Sequence, residues 1–536
     1  MAINSQVREE VRLGPLLTVL SGAPFVASLD LFVVNVAFGD IAASYPGYSL
    51  GDLSWVLGGY AIVFAALLVP LGRWADRVGR RRGFLLGLAL FTAASAACAL
   101  SPSLWMLVAF RLLQAVGAAA LTPASLGLLI STVPEATRAG AVRIWAASGA
   151  AAAAFGPVVG GLLVEASWRW AFLINVPIGI AFLIATVRLV PDFRPTAPDT
   201  NLDLFGGALL TVGIGALALG LVQGPDWGWS DPRIALAFTV AAASVALFWW
   251  RNSRQREPLI EPAMLKVRTF AWSNVTALAF SAAFAAGLLA NILWLQQVWG
   301  YSALLTGLAI APGPLMVPVF AVVGQFLSRR FSAAALTAAG SALWAAGAVL
   351  VLSSVGMEPQ YASELLPGWM IAGVGVGLAL PTILSSATAG LPPSRSATGS
   401  AVVTMSRQVG TVLGVSMLVA LLGTTAGDED THSAFQLAWS AVAVVAVVAA
   451  LTATRMNPPR EYWLTSTHST ERNDHERRRH RRGRPHADRQ GQALGRPARS
   501  APRRPSRPQP VDPRRTHGNR SRTDRRRHRR HRHPGR

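Results

Sequence analysis

Long apolar runs recur fourteen times along the chain, each set off from the next by a few polar or charged positions. They fall near 15–38, 53–72, 83–100, 104–128, 139–164 and 170–190, then near 204–223 and 233–250. Six more follow near 270–295, 303–327, 332–354, 366–389, 399–423 and 433–453. A helix crosses the hydrocarbon core of a bilayer with about 20 mostly apolar residues, so this pattern predicts an all-α membrane protein of fourteen spans. The polar breaks divide it into a six-helix bundle over 1–190, linker segments with two inserted helices over 191–269, and a second six-helix bundle over 270–453. A tail follows over 454–536. The first run is too long for a signal-peptide core and leads into further spans, so no cleavable leader is expected.

Composition agrees. Only 14% of the 536 residues are charged, where a soluble domain carries roughly a quarter. The deficit excludes a water-soluble protein and leaves the lipid bilayer as the main neighbour of its surface. The formal charge of +22 sits mostly at the end: from Glu461 onward there are 24 Arg against seven acids, or +17, leaving +5 for everything before. Such an Arg-, His- and Pro-rich run cannot bury a core and is expected to be disordered. It suits anionic lipid head groups; no specific nucleic-acid partner is expected. The lone cysteine, Cys98, lies in an apolar run and has no partner for a disulfide or a metal.

The cationic residues also orient the spans. The loops at 40–52, 101–103, 296–302, 356–364 and 427–432 hold no Lys or Arg, whereas Arg73, Arg77, Arg80, Arg81, Arg82, Arg251, Arg254, Arg329, Arg330 and Arg395 fall in the alternate loops. Arg169 and Arg233 are the exceptions. Cytoplasmic loops carry the excess of Lys and Arg, so both termini are expected in the cytoplasm of a cell-membrane protein. An internal repeat supports the two bundles. The stretches 117–125 and 377–385 resemble one another, as do 133–141 and 391–401, and Gly72 has a counterpart in Gly324. Each match alone is weak in Ala- and Gly-rich text; their similar offset, roughly half the chain, carries the weight.

Three places bear residues whose type and spacing point to chemistry. Between spans two and three runs Gly72-Arg-Trp-Ala-Asp-Arg-Val-Gly-Arg-Arg-Arg82. Gly72 permits close helix contact, Gly79 a tight turn, and Asp76 is a carboxylate among arginines. In the span-five run with Gly156, Pro157, Gly160 and Gly161, Gly156 and Gly160 are four apart and share one face, and Pro157 can bend the helix. Inside the first bundle lie Asp30 in span one and Arg111 in span four, and a charge within a span is costly and marks function by default. Arg407 in span thirteen is the matching charge of the second bundle, closer to a cytoplasmic end, where it can snorkel. The blander readings are a solvated topology-setting loop, a packing stripe, and charges that cap a polar cavity.

The 72–82 loop closely resembles the signature loop of the major facilitator superfamily, with Trp74 where Leu is usual. That resemblance implies a conformational latch at Asp76, supported by Arg77 and Arg80. The span-five pattern resembles the antiporter motif of proton-driven exporters, with Ala152 where the upstream Gly would stand. The surroundings of Asp30 and Arg111, together with Trp168-Arg-Trp-Ala-Phe-Leu-Ile-Asn-Val-Pro-Ile-Gly179, are similar to those of the fourteen-span drug:proton antiporters of the EmrB/QacA type; Phe32, Gly39 and Ala115 depart from the pattern. The resemblance implies that Asp30 and Arg111 take part in proton transfer. Burial disfavours the charged form of a carboxylate and a nearby guanidinium favours it, so helix movement can couple protonation to conformation.

The expected function is therefore proton-coupled export of a small organic molecule, with protons and that substrate as partners. Spans nine to fourteen hold no clearly embedded acid, which favours neutral, monocationic or amphipathic substrates. Trp294, Trp344 and Trp369 either line a cavity or anchor the bilayer interface. No nucleophile–base pair or metal-ligand set occurs at useful spacing, so neither an enzyme nor a cofactor is expected. The rival readings are a proton-coupled uptake symporter and a membrane scaffold or sensor acting through the basic tail.

Overall fold

The structure, a computed structural model, describes residues 13–191, 203–255, 258–389, 391, 396–422 and 428–456. The expected linker between spans six and seven lies almost wholly outside these residues, as does the arginine-rich tail beyond 456. All regular structure among the described residues is helical. Fourteen helices are long and apolar enough to cross a membrane: α1 Gly14–Val36, α2 Leu50–Val78, α3 Arg80–Ala99, α4 Leu104–Thr132, α5 Gly140–Ala166, α6 Trp170–Leu189, α7 Leu204–Trp227, α8 Pro232–Arg254, α9 Arg268–Val298, α10 Ala303–Leu327, α11 Ala333–Ser354, α12 Leu366–Ala389, α13 Thr398–Leu422 and α14 Thr431–Ala453.

Polar residues at the breaks start these helices by accepting otherwise unpaired backbone N–H groups. Ser49 Oγ accepts from Asp52 N at 3.1 Å and the Asp52 carboxylate accepts from Ser49 N at 3.3 Å, a reciprocal cap at the head of α2. At the head of α8 the Asp231 carboxylate accepts from Arg233 N at 2.7 Å, and Pro232 takes the first helical position. Asp203 caps α7 through Gly206 N at 2.8 Å and also pairs with Arg251, so the inserted helices α7 and α8 are tied at one end.

Within the first six helices α1 packs on α5, and α4 on α2 and α3. The last six repeat the scheme: α9 packs on α13, and α12 on α10 and α11. Gly87 and Gly117 bring the backbones of α3 and α4 together just as Gly340 and Gly375 do for α11 and α12. The inserted pair lies against the outside of α2 and α13 through Leu210, Ile214 and Ala218 of α7. Lipid-facing positions stay apolar: Leu236 of α8 and Leu451 of α14 are each over 60% exposed.

The tryptophans decide between the two readings of them. Trp294, Trp344 and Trp369 are each at most 3% exposed, so none of them anchors an interface. Their rings pack inside the second bundle, Trp344 against Trp369 at 5.8 Å and Trp294 against Trp439 at 5.1 Å between centroids. Trp344, Trp369 and Asn291 line a small cavity there.

Candidate functional site

Asp30 and Arg111 meet at the centre of the first bundle. Arg111 Nη1 lies 2.5 Å from Asp30 Oδ2, and both side chains are wholly buried. The ion pair is the middle of a network drawn from five helices. Arg111 Nη1 also donates to Gln114 Oε1 at 2.6 Å, and its Nε donates to the carbonyl of Val56 on α2 at 3.1 Å. Asp30 Oδ1 accepts from Gln114 Nε2 at 2.8 Å and from Asn175 Nδ2 at 2.9 Å. Ser95 Oγ on α3 accepts from the same two amides, at 2.6 and 3.3 Å. The guanidinium lies between two rings, 4.3 Å from the centroid of Tyr60 and 5.6 Å from that of Phe172.

This arrangement explains how a full charge pair survives inside a bundle. Desolvation of two ions is repaid only when their remaining donors and acceptors are also bonded. Asp30 satisfies that condition with three donors. Arg111 does not quite: its Nη2, the Tyr60 hydroxyl and Asn175 Oδ1 are enclosed without a partner. Asp30 therefore has fixed, dense support, while its partner keeps unused bonding capacity beside it.

The sequence motifs contributed Asp30 and Arg111 but passed over Ser95 and Tyr60, and treated Gln114 and Asn175 only as part of longer patterns. Their signal was present: an amide within an apolar run needs a partner there. Asn175 is brought to the network by a break in α6, whose first turn, Trp170–Leu173, ends before the main helix starts at Asn175.

The other predicted residues sit away from this centre. Gly79 has φ +103°, a conformation that side-chain-bearing residues rarely adopt, so the turn between α2 and α3 depends on it. A side chain at Gly72 would press on Pro123 of α4 at 3.3 Å. Asp76 accepts from Arg80 Nε at 2.6 Å, and Arg80 Nη1 donates to the Gly127 carbonyl of α4 at 2.9 Å. The described contacts of Asp76 thus tie the loop to its own bundle. It is Arg73, not singled out from the motif, that reaches beyond the first bundle, donating to the carbonyl of Pro258 in the linker before α9 at 2.9 Å.

The span-five glycines have two roles. Gly156 and Gly160 face Phe32 and Val33 of α1, within the first bundle. Gly161 instead faces the second: a Cβ there would stand 2.7 Å from the Ala303 carbonyl of α10, and Pro157 lies against Gly307. Nearby, Leu304 N donates to Glu165 Oε1 at 3.3 Å and Gln296 Nε2 to the Val36 carbonyl at 3.0 Å. These contacts join the bundles at the end remote from the arginine-rich loops. Arg407, on α13, is partly exposed, and its Nε is enclosed without a hydrogen-bond partner.

Fourteen apolar helices in two repeated bundles, with a buried ion pair in one and a seam between them, define a multi-span membrane transporter. The chain belongs to the Major Facilitator Superfamily, whose family model matches residues 20–415. It is 30% identical over 451 residues to the methylenomycin A resistance protein of Streptomyces coelicolor, covering 84% of this chain and 93% of that protein. It is 34% identical to the methylenomycin A resistance protein of Bacillus subtilis, over 75% of this chain and 86% of the relative. The tetracenomycin C resistance and export protein of Streptomyces glaucescens is 33% identical, with 77% and 76% covered. A POT family transporter crystallised with 5-aminolevulinic acid superposes with a TM-score of 0.62 at 17% identity, over 82% of this chain and 94% of that one, a likeness of fold.

Proposed function

We propose that this chain is a proton-coupled antiporter that exports drugs or other small amphipathic organic molecules across the cytoplasmic membrane, with both termini on the cytoplasmic side. The observation that carries the reading is the wholly enclosed Asp30, held by Arg111, Gln114 and Asn175. A proton arriving on Asp30 cancels the ion pair and leaves Arg111 without its counter-charge. The helices that the pair holds together, α1 and α4, are then free to shift. The bundles over 1–190 and 270–453 rock about the site, the Asp76, Arg77 and Arg80 loop latches the end states, and Gly156, Pro157, Gly160 and Gly161 form the sliding contacts. The resistance and export named for the relatives support outward transport.

The test is Asp30→Asn in inverted membrane vesicles with an imposed proton gradient. Loss of drug accumulation is expected while the purified variant stays monodisperse. Accumulation at the wild-type rate would remove Asp30 from the coupling.

A further inference from the structure

Away from the helix ends, Arg407 is the only charged side chain in α9 to α14 among the described residues. None of the described ion pairs includes it, and its enclosed Nε has no hydrogen-bond partner. A guanidinium within a span that has no counter-ion among the described ion pairs and one enclosed, unbonded nitrogen is costly, and such a residue marks a functional site by default.

Its direction follows from the internal repeat. Gly410 and Gly414 pack against Leu278 and Ala282 of α9, just as Gly156 and Gly160 pack against Phe32 and Val33 of α1. On α5 the adjoining face, with Pro157 and Gly161, is turned to the opposite bundle. The corresponding face of α13 bears Arg407, Thr411 and Val415, and Val415 does lie with Ser54, Trp55 and Gly58 of the opposite bundle. Ser400 and Thr404 extend this stripe at helical spacing. All four polar members, Ser400, Thr404, Arg407 and Thr411, are partly exposed. The threonine hydroxyls donate to their own helix and keep oxygen lone pairs, so Arg407 is the strong donor on the stripe. In the first bundle, Asp30 and Arg111 cancel each other's charge. Arg407 has no such partner among the described ion pairs.

We propose that Arg407 anchors the transported molecule and that the substrates are amphipathic anions, carboxylates above all, gripped by its guanidinium. This rests on the export reading and narrows it, removing monocations from the expected substrates. The test is isothermal titration of the purified full chain in detergent, near neutral pH, with 1-naphthylacetate and with its methyl ester. A charge-assisted contact supports a preference for the acid of roughly ten-fold or more. Arg407→Gln should erase that preference. Arg407→Lys, which keeps the charge without the planar fork, should retain only part of it. Wild-type protein that binds the acid no better than the ester overturns the proposal, and so does an undiminished preference in Arg407→Gln. Should Arg407→Gln aggregate on gel filtration, Arg407→Lys decides: a reduced preference supports the assignment and an unchanged one overturns it. Because binding is read without a gradient, failure here leaves coupling through Asp30 standing, and a failed Asp30→Asn test leaves the acid preference standing.

Discussion

At the scale of single residues, three donors converge on the Asp30 carboxylate, and one of them, Asn175, comes from the last helix of its bundle. Hydrogen bonds to a charged group contribute about 1.5–3 kcal/mol each. Asn175→Ala should therefore slow proton-driven efflux about ten-fold or more, because the carboxylate loses a donor that fixes its position. Counterflow exchange without a gradient should change much less, and a variant slowed equally in both assays would make Asn175 merely structural. Asp30 and Arg111 were legible in the sequence because a charge inside an apolar run stands out whatever its surroundings. Asn175 gave a weaker signal, an amide in need of some partner, and Ser95 gave less still, since a hydroxyl within a span has many local uses. Only the meeting of α1, α3, α4 and α6 in space gives these two a shared partner.

Among the helices, the seam between α5 and α10 sets Pro157 and Gly161 of the span-five motif against the second bundle. Gly161 has the Ala303 carbonyl and Leu304 Cα where a side chain would go, and backbone cannot move aside as a flexible side chain can. Gly161→Val should therefore hold the bundles apart at this end. A Glu165→Cys, Ala303→Cys pair should cross-link readily in the parent and at least several-fold less in the valine variant. Equal cross-linking would show that the seam tolerates bulk. Sequence periodicity located all fourteen helices because each must be apolar along its full length. It could not say which helix each face meets. Trp344 and Trp369 illustrate the limit: a tryptophan in an apolar run reads as cavity lining or as an interface anchor, and the packing of one buried ring on the other decided against the interface.

Over the whole molecule, the distribution of arginine and the position of the seam together define a direction. The Asp30–Arg111 pair sits inside one bundle, the α5–α10 seam closes the end away from the arginine-rich loops, and the internal repeat aims the proposed anchor Arg407 at the opposite bundle. If those loops are cytoplasmic, as the charge asymmetry predicts, the seam is an outer gate, and a substrate reaching Arg407 comes from the cytoplasm, as export requires. The inserted pair α7 and α8 preserves this arrangement, since an even number of crossings returns the chain to the same side. The orientation is open to direct measurement because Cys98 is the only cysteine and is buried. In a Cys98→Ala background, single cysteines at the exposed positions Arg82, Arg254 and Tyr48 are treated with a membrane-impermeant maleimide on intact cells. Tyr48→Cys should react at once, while Arg82→Cys and Arg254→Cys should react only after lysis. Labelling of Arg82→Cys and Arg254→Cys from opposite sides would mean an odd number of crossings between them, and the second bundle would then be inverted relative to the first. The repeat that aims Arg407 into the cleft requires both bundles to share one orientation, so that result would remove the anion site along with the direction of transport.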